Sequence, residues 1–242
     1  MTTSEPIPHA AFAVFGDRVE LAVNYVEFLR SAGIERGLIG PREGDRIWER
    51  HVLNSTAVAS RLGVGESNRR ISVTDIGSGA GLPGIPLALC RTDLELTLVE
   101  PLLRRSNFLE EAIEVLGLKE AGIEIRVIRG RAEDADVVAG AKESDVVTAR
   151  AVAPLAKLAG WCSPLIRQGG QLIALKGESA SKELERDASA LRKNGLVDAH
   201  FETVEVPGAD PTYLITATKS GTTAADTSKV RRDKLGTNKR RK

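Results

Sequence analysis

Residues Val73 to Gly84 read VTDIGSGAGLPG. A β-branched run ends in three alternating glycines, Gly77, Gly79 and Gly81. Pro83 follows where the first turn of a helix is expected, and its missing N–H costs nothing there. Glycines in this pattern let the backbone pass close beneath a ligand, so the chemistry on offer is a ledge for a nucleotide-like cofactor at a strand-to-helix turn. The substring Gly79-x-Gly81-x-x-Gly84 also fits the dinucleotide fingerprint, and the pattern alone does not choose between cofactors.

The acids around the loop favour S-adenosylmethionine over NAD. A dinucleotide brings two phosphates that want helix N–H groups. S-adenosylmethionine has no phosphate and carries a sulfonium and an α-ammonium. Asp75 stands two residues before Gly77, Glu100 closes a second strand-like run, and Glu133 follows a third. All three fall at carboxyl ends of expected strands, the edge where open α/β sheets bind ligands. Glu100 suits the two ribose hydroxyls, a role that acids at this spacing also fill in NAD enzymes. Asp75 has a second reading, satisfying loop N–H groups, and Glu133 another, as an acid favoured at a helix start.

These residues need elements to hold them. Strands are expected over Ile71–Ile76, Leu94–Glu100, Ile123–Ile128, Val146–Thr148 and Gln171–Leu175, with helices over Arg104–Leu116, Leu155–Ile166 and Lys182–Lys193. Strand and helix alternating at this spacing make a parallel sheet covered on both faces. His200–Val206 and Tyr213–Lys219 are joined by PGADP, too short for a helical crossover, so an antiparallel hairpin should close the sheet. The expected fold class is α/β, a Rossmann-like doubly wound sheet with a reversed last strand, as in class I methyltransferases. Upstream, Phe15, Val19, Ala22, Val26 and Leu29 form one helical stripe ending near Gly33, and Trp48, Val52, Ser55, Ala59 and Leu62 form another. The expected organisation is an N-terminal helical extension over 1–65, a methyltransferase domain over 66–220, and a linker and basic tail over 221–242.

The chain has 242 residues, 42% of them apolar, with net charge +1. That neutrality hides a division. Lys229 to Lys242 hold eight Lys or Arg and one Asp, net +7, leaving 26 basic and 32 acidic residues, net −6, upstream. A basic end of this kind suits RNA phosphates, with Lys239, Arg240 and Arg241 as candidates; the alternative is a solvated charge run. Aromatic residues make up only 4%, which argues against a base-stacking platform of the RRM or OB type. Cys90 and Cys162 have no metal-ligand or redox spacing. No metal site is expected, no run is long enough to span a bilayer, and no signal peptide is read at the start, so a cytoplasmic location is expected; the chain is also expected to be a monomer.

Beyond the glycine loop, DIGSGAGLPGIP (75–86), VEPLLRRSNFL (99–109), RAED (131–134), TARAVAP (148–154), GGQLIALKG (169–177) and WERHVLNS (48–55) together resemble the bacterial 16S ribosomal RNA guanine-N7 methyltransferases, also called glucose-inhibited division protein B. The similarity runs from about residue 20 to 219. It implies S-adenosylmethionine as methyl donor and a guanine N7 in the 530 loop of 16S ribosomal RNA, in the small ribosomal subunit, as acceptor. It also implies cofactor contacts at Gly77, Leu82, Ala132, Glu133 and Arg150. The family's tail carries a Pro-Gly-Thr-Pro pattern where this chain has Leu235-Gly236-Thr237-Asn238.

The sequence holds no nucleophile paired with a base. This fits an acceptor whose lone pair is free at neutral pH, so that alignment and desolvation supply the catalysis. His9 and His200 read as surface or strand residues. His51 reads either as an RNA contact or as a packed interface residue, and Arg150 as a cofactor and RNA contact or as half of an ion pair. Rival functions are a methyltransferase of another substrate, an NAD-dependent oxidoreductase, and a non-catalytic RNA-binding protein.

Overall fold

The computed structural model describes residues 6–63, 69–141 and 143–221. Two helices, α1 (His9–Phe15) and α2 (Val19–Phe28), are joined by a tight turn over Gly16–Arg18. Helix α2 continues into a wider π-type turn, Leu29–Gly33. A 3-10 turn, Pro41–Arg46, a second π-type turn, Trp48–Leu53, and a further 3-10 turn, Thr56–Arg61, follow in this layer. The expected stripe faces inward: Phe15, Ala22, Val26 and Leu29 are buried, as are Trp48, Val52, Ser55 and Leu62.

Seven strands follow, with five helices between them: β1 (Ile71–Ile76), α3 (Gly84–Cys90), β2 (Leu94–Glu100), α4 (Leu103–Val115), β3 (Glu124–Arg129), α5 (Ala135–Ala141), β4 (Ser144–Arg150), α6 (Leu155–Cys162), β5 (Ile166–Lys176), α7 (Ala180–Lys193), β6 (Leu196–Val204) and β7 (Thr212–Lys219). The sheet order is β3-β2-β1-β4-β5-β7-β6, with β7 antiparallel to both neighbours. This is the doubly wound sheet with its reversed strand. The order changes direction between β1 and β4, which opens a crevice at the carboxyl edge.

Alternation along each strand sorts side chains into two layers. Leu172 and Ala174 face α5, α6 and α7, while Ile173 and Leu175 face α3, α4 and the N-terminal helices. The N-terminal residues thus share one apolar layer with α3 and α4.

Four details differ from the expectation, the first being that the helix expected over Leu155–Ile166 stops at Cys162 and a 3-10 turn, Ser163–Leu165, follows it. Strand β5 begins at Ile166, because Gly169 (φ +74°) and the close-packed Gly170 carry the chain past a register shift opposite Ser144 and Val146. Strand β6 begins at Leu196, where a bulge with Asp198 at φ +51° interrupts the alternation. Helix α3 starts at Gly84, which puts Pro83 one position before its first turn. The linker beyond Gly221 and the basic tail, including Lys239, Arg240 and Arg241, lie outside the described residues.

Candidate active site

At the carboxyl edge of β1, β2 and β4 lies a cavity of about 550 Å³. The structure brings Gly77, Gly79, Leu82, Glu100, Ala132, Glu133 and Arg150 together on its wall. Gly81 is buried behind the loop, where an added Cβ would come within 2.9 Å of Ile85 Cγ1 and 3.0 Å of the Tyr25 hydroxyl. Gly79 sits at φ +57°, and a Cβ there would meet only Gly77 O, at 3.8 Å. A side chain at Gly79 would therefore occupy the open side of the loop.

The loop is held by its own hydrogen bonds. The N–H groups of Gly77 and Ser78 donate to Val99 O, and those of Gly81 and Leu82 donate to Ser78 O. Gly79 N–H donates to Glu100 Oε2 at 3.0 Å. Gly84 N–H donates to Asp75 Oδ2 at 3.1 Å, and Ile85 N–H to Gly81 O. Pro83 has no N–H, so from Gly77 to Ile85 only the Ala80 N–H stands apart from this network. A pyrophosphate needs several unpaired N–H groups at such a turn. Here they are already paired, and the first N–H of α3 faces a buried carboxylate.

Asp75 is fully buried, and burial raises its carboxyl to about 7. Its Oδ1 makes no hydrogen bond. It acts on the loop from behind. Glu100 is also buried, and its Oε1 accepts the Leu102 N–H at 3.0 Å. Each Glu100 oxygen has a lone pair left, so the carboxylate can take ribose hydroxyls while fixing the loop. Glu133 is exposed at the rim. Apolar Ile76, Leu82, Val99 and Ala132 supply flat contact surface. This donor set, with phosphate-binding N–H groups closed off and acids open, fits S-adenosylmethionine.

Arg150 ends β4, and the next residue, Ala151, is left-handed at φ +54°. Among the described residues, no carboxylate lies within hydrogen-bond reach of the guanidinium. Its Nη1 donates to His51 O at 3.3 Å and Ser55 Oγ at 3.2 Å, and its Nη2 donates to His51 Nδ1. Burial, followed by the Arg150 charge, lowers His51 to about 4, so the ring is neutral. His51 is thus a buried residue that itself lines the cavity and holds Arg150 beside it. His9 and His200 are exposed, in α1 and β6 respectively.

Two residues at or behind this wall carried no sequence signal of their own. Tyr25 Oη donates to Ala80 O at 2.8 Å, so the N-terminal layer also braces the glycine loop. Arg105 lines the cavity with a buried Nε lacking a partner. Among the described residues, no group of His, Cys, Asp and Glu is placed to hold a metal ion, and no helix is long and apolar enough to cross a membrane.

Known proteins resemble this chain in fold and in sequence. Among solved structures, a predicted O-methyltransferase of Agrobacterium tumefaciens superposes with a TM-score of 0.53 at 20% identity, covering 71% of this chain and 80% of that one, which is a likeness of fold. Ribosomal RNA small subunit methyltransferase G of Corynebacterium jeikeium is 55% identical over 210 residues, 86% of this chain and 90% of that protein. The protein of the same name from Mycolicibacterium gilvum is 50% identical over 206 residues, 85% and 86% of the two chains. Residues 18–209 match the GidB family, rRNA small subunit methyltransferase G, and the chain belongs to that family of S-adenosylmethionine-dependent enzymes.

Proposed function

We propose that the protein transfers a methyl group from S-adenosylmethionine to N7 of a guanine in the 530 loop of 16S ribosomal RNA, acting as a cytoplasmic monomer on the small subunit or its precursor. The observation that carries the cofactor half is the closed set of loop N–H groups beside an open Glu100 carboxylate. The family supplies the RNA half.

S-adenosylmethionine, when bound, supplies an electrophilic methyl group on a sulfonium. Glu100 would hold the ribose hydroxyls, and the Gly77–Gly79 backbone and Leu82 would contact the nucleoside. Ala132, Glu133 and Arg150 would complete the contacts. Ile39, Ile76 and Val99 exclude water from the cavity wall. Guanine N7 attacks with a lone pair it already has, so the chain need not remove a proton. His51, neutral and hydrogen-bonded to Arg150, adds no second cation where a positively charged 7-methylguanine forms. Lys239, Arg240 and Arg241 of the tail bind RNA phosphates, giving affinity without sequence information.

The test is incubation with tritiated S-adenosylmethionine and small subunits from a strain lacking the enzyme, followed by mapping of the label. The reading expects one 7-methylguanine in the 530 loop. Label on another base, or on protein, contradicts it.

A further inference from the structure

We propose that His51 is a positioning residue for Arg150: together with Ser55 it fixes the guanidinium so that its remaining N–H groups face the cofactor cavity, which makes the N-terminal helical layer part of the active site. The inference rests on the reading above in placing Arg150 at the cofactor.

The geometry is specific. Arg150 has five N–H donors. Two on Nη1 go to His51 O and Ser55 Oγ, and one on Nη2 goes to His51 Nδ1. The Nε–H and the second Nη2–H have no acceptor among the described residues, and Arg150 lines the cavity. Three of the five donors are thus fixed from one side by residues 95 and 99 positions away in sequence. Ser55 is fixed in turn, because its Oγ donates to His51 O at 2.6 Å.

Local structure explains why these atoms converge. Trp48–Leu53 is a π-type turn, a widened helical form that frequently occurs at functional sites. The carbonyl of His51 receives both Arg150 Nη1 and Ser55 Oγ. Buried Trp48, Val52 and Leu53 anchor the turn in the core, so it is a rigid support. On the other side, Ala151 at φ +54° turns the chain sharply just after Arg150, a left-handed conformation uncommon for a residue with a side chain.

The ring chemistry is consistent with the role. Nδ1 must accept from a guanidinium, so it carries no proton and the hydrogen sits on Nε2. Nε2 is buried, 3.3 Å from Glu43 Oε2, without the alignment of a hydrogen bond. The groups facing the ring are Arg150, Glu43 and Arg50. A protonated ring would set a cation against Arg150 and break the contact.

A double-mutant cycle tests this. The variants His51→Ala, Arg150→Ala and the double are titrated calorimetrically with S-adenosylhomocysteine, and each fold is checked by thermal denaturation. The expected result is a weakening of about tenfold for His51→Ala, a larger one for Arg150→Ala, and no further loss in the double, within about twofold. Losses that multiply would overturn the proposal, because packing damage adds in either background. The variant His51→Gln, which keeps a side-chain acceptor, is expected to recover most of the affinity, and a Gln variant as weak as Ala counts against the role.

Independently, nitrogen NMR of the wild-type ring is expected to show Nδ1 unprotonated from pH 5.5 to 8, and Arg150→Ala to bring its titration back toward 6.5. A wild-type His51 that titrates normally overturns the proposal. If the rings and affinities behave as expected but no rRNA is methylated, it is the proposed acceptor that fails and not this inference.

Discussion

Glu100 Oε2 accepts the Gly79 N–H at 3.0 Å, so the last residue of β2 fixes the loop that leaves β1. The same carboxylate accepts Leu102 N–H through Oε1. One buried acid therefore joins two strand ends and faces the cavity.

Replacing Glu100 by Gln leaves one amide oxygen for two N–H donors, and the new NH2 must face one of them. The expected cost is about 1–3 kcal/mol of stability, the penalty of an unpaired buried donor. A loss of at least about tenfold in S-adenosylhomocysteine affinity should accompany it. Urea unfolding and calorimetry measure the two quantities. Loss of stability with unchanged affinity would confine Glu100 to a structural role.

The glycines of the loop separate by what surrounds them. An added Cβ at Gly84 would run into Leu98 Cδ2 and come within 2.9 Å of Asp75 Oδ2, whereas at Gly79 it would enter open space. Gly84→Ala should destabilise by about 1–3 kcal/mol through overpacking. Gly79→Ala should cost about 1–2 kcal/mol for its left-handed backbone and still fold, but cofactor affinity should fall sharply. Calorimetric affinity left intact in Gly79→Ala would remove that residue from the ledge.

Much of the fold is legible in the sequence. The strand, triple glycine and trailing acids point to the strand edge where the cavity lies because each is a local pattern with a mechanism: backbone freedom at the turn, acids at strand ends. The hairpin PGADP between two β-branched runs gives the reversed strand. Other features depend on contacts that sequence spacing does not display. Tyr25 carries no pattern of its own, His51 reads either as an RNA contact or as a packed interface residue, and only the fold sets them against Ala80 and Arg150. Gly169 and Gly170 look like a turn, yet they let β5 pass a register shift. Helix α5 is seven residues of small and β-branched types, too short for its periodicity to register.

Asp75 gives a pH signature. Burial raises its folded carboxyl from 3.8 to about 7. Between those values the unfolded chain has lost its proton while the folded chain keeps it, so stability falls as pH rises from about 4 to about 7. In Asp75→Asn this dependence disappears. Wild-type minus Asp75→Asn stability, from urea midpoints at each pH, should therefore decline across that window. Parallel curves would mean that Asp75 is ionised in the folded protein throughout.

The basic tail offers a separable test. Eight Lys or Arg against one Asp over residues 229–242 should raise RNA affinity by counterion release. Deleting these residues should weaken binding to small subunits and flatten its dependence on salt, while leaving S-adenosylhomocysteine affinity unchanged. Equal losses for RNA and cofactor would argue against an independent electrostatic element.

The most direct check is calorimetric titration of the wild-type protein with S-adenosylhomocysteine and, separately, with NAD. Paired loop N–H groups and an open Glu100 require saturable one-to-one binding of the first and no heat from the second. Binding of NAD, with the sulfur compound unable to displace it, would contradict the whole assignment of the cavity.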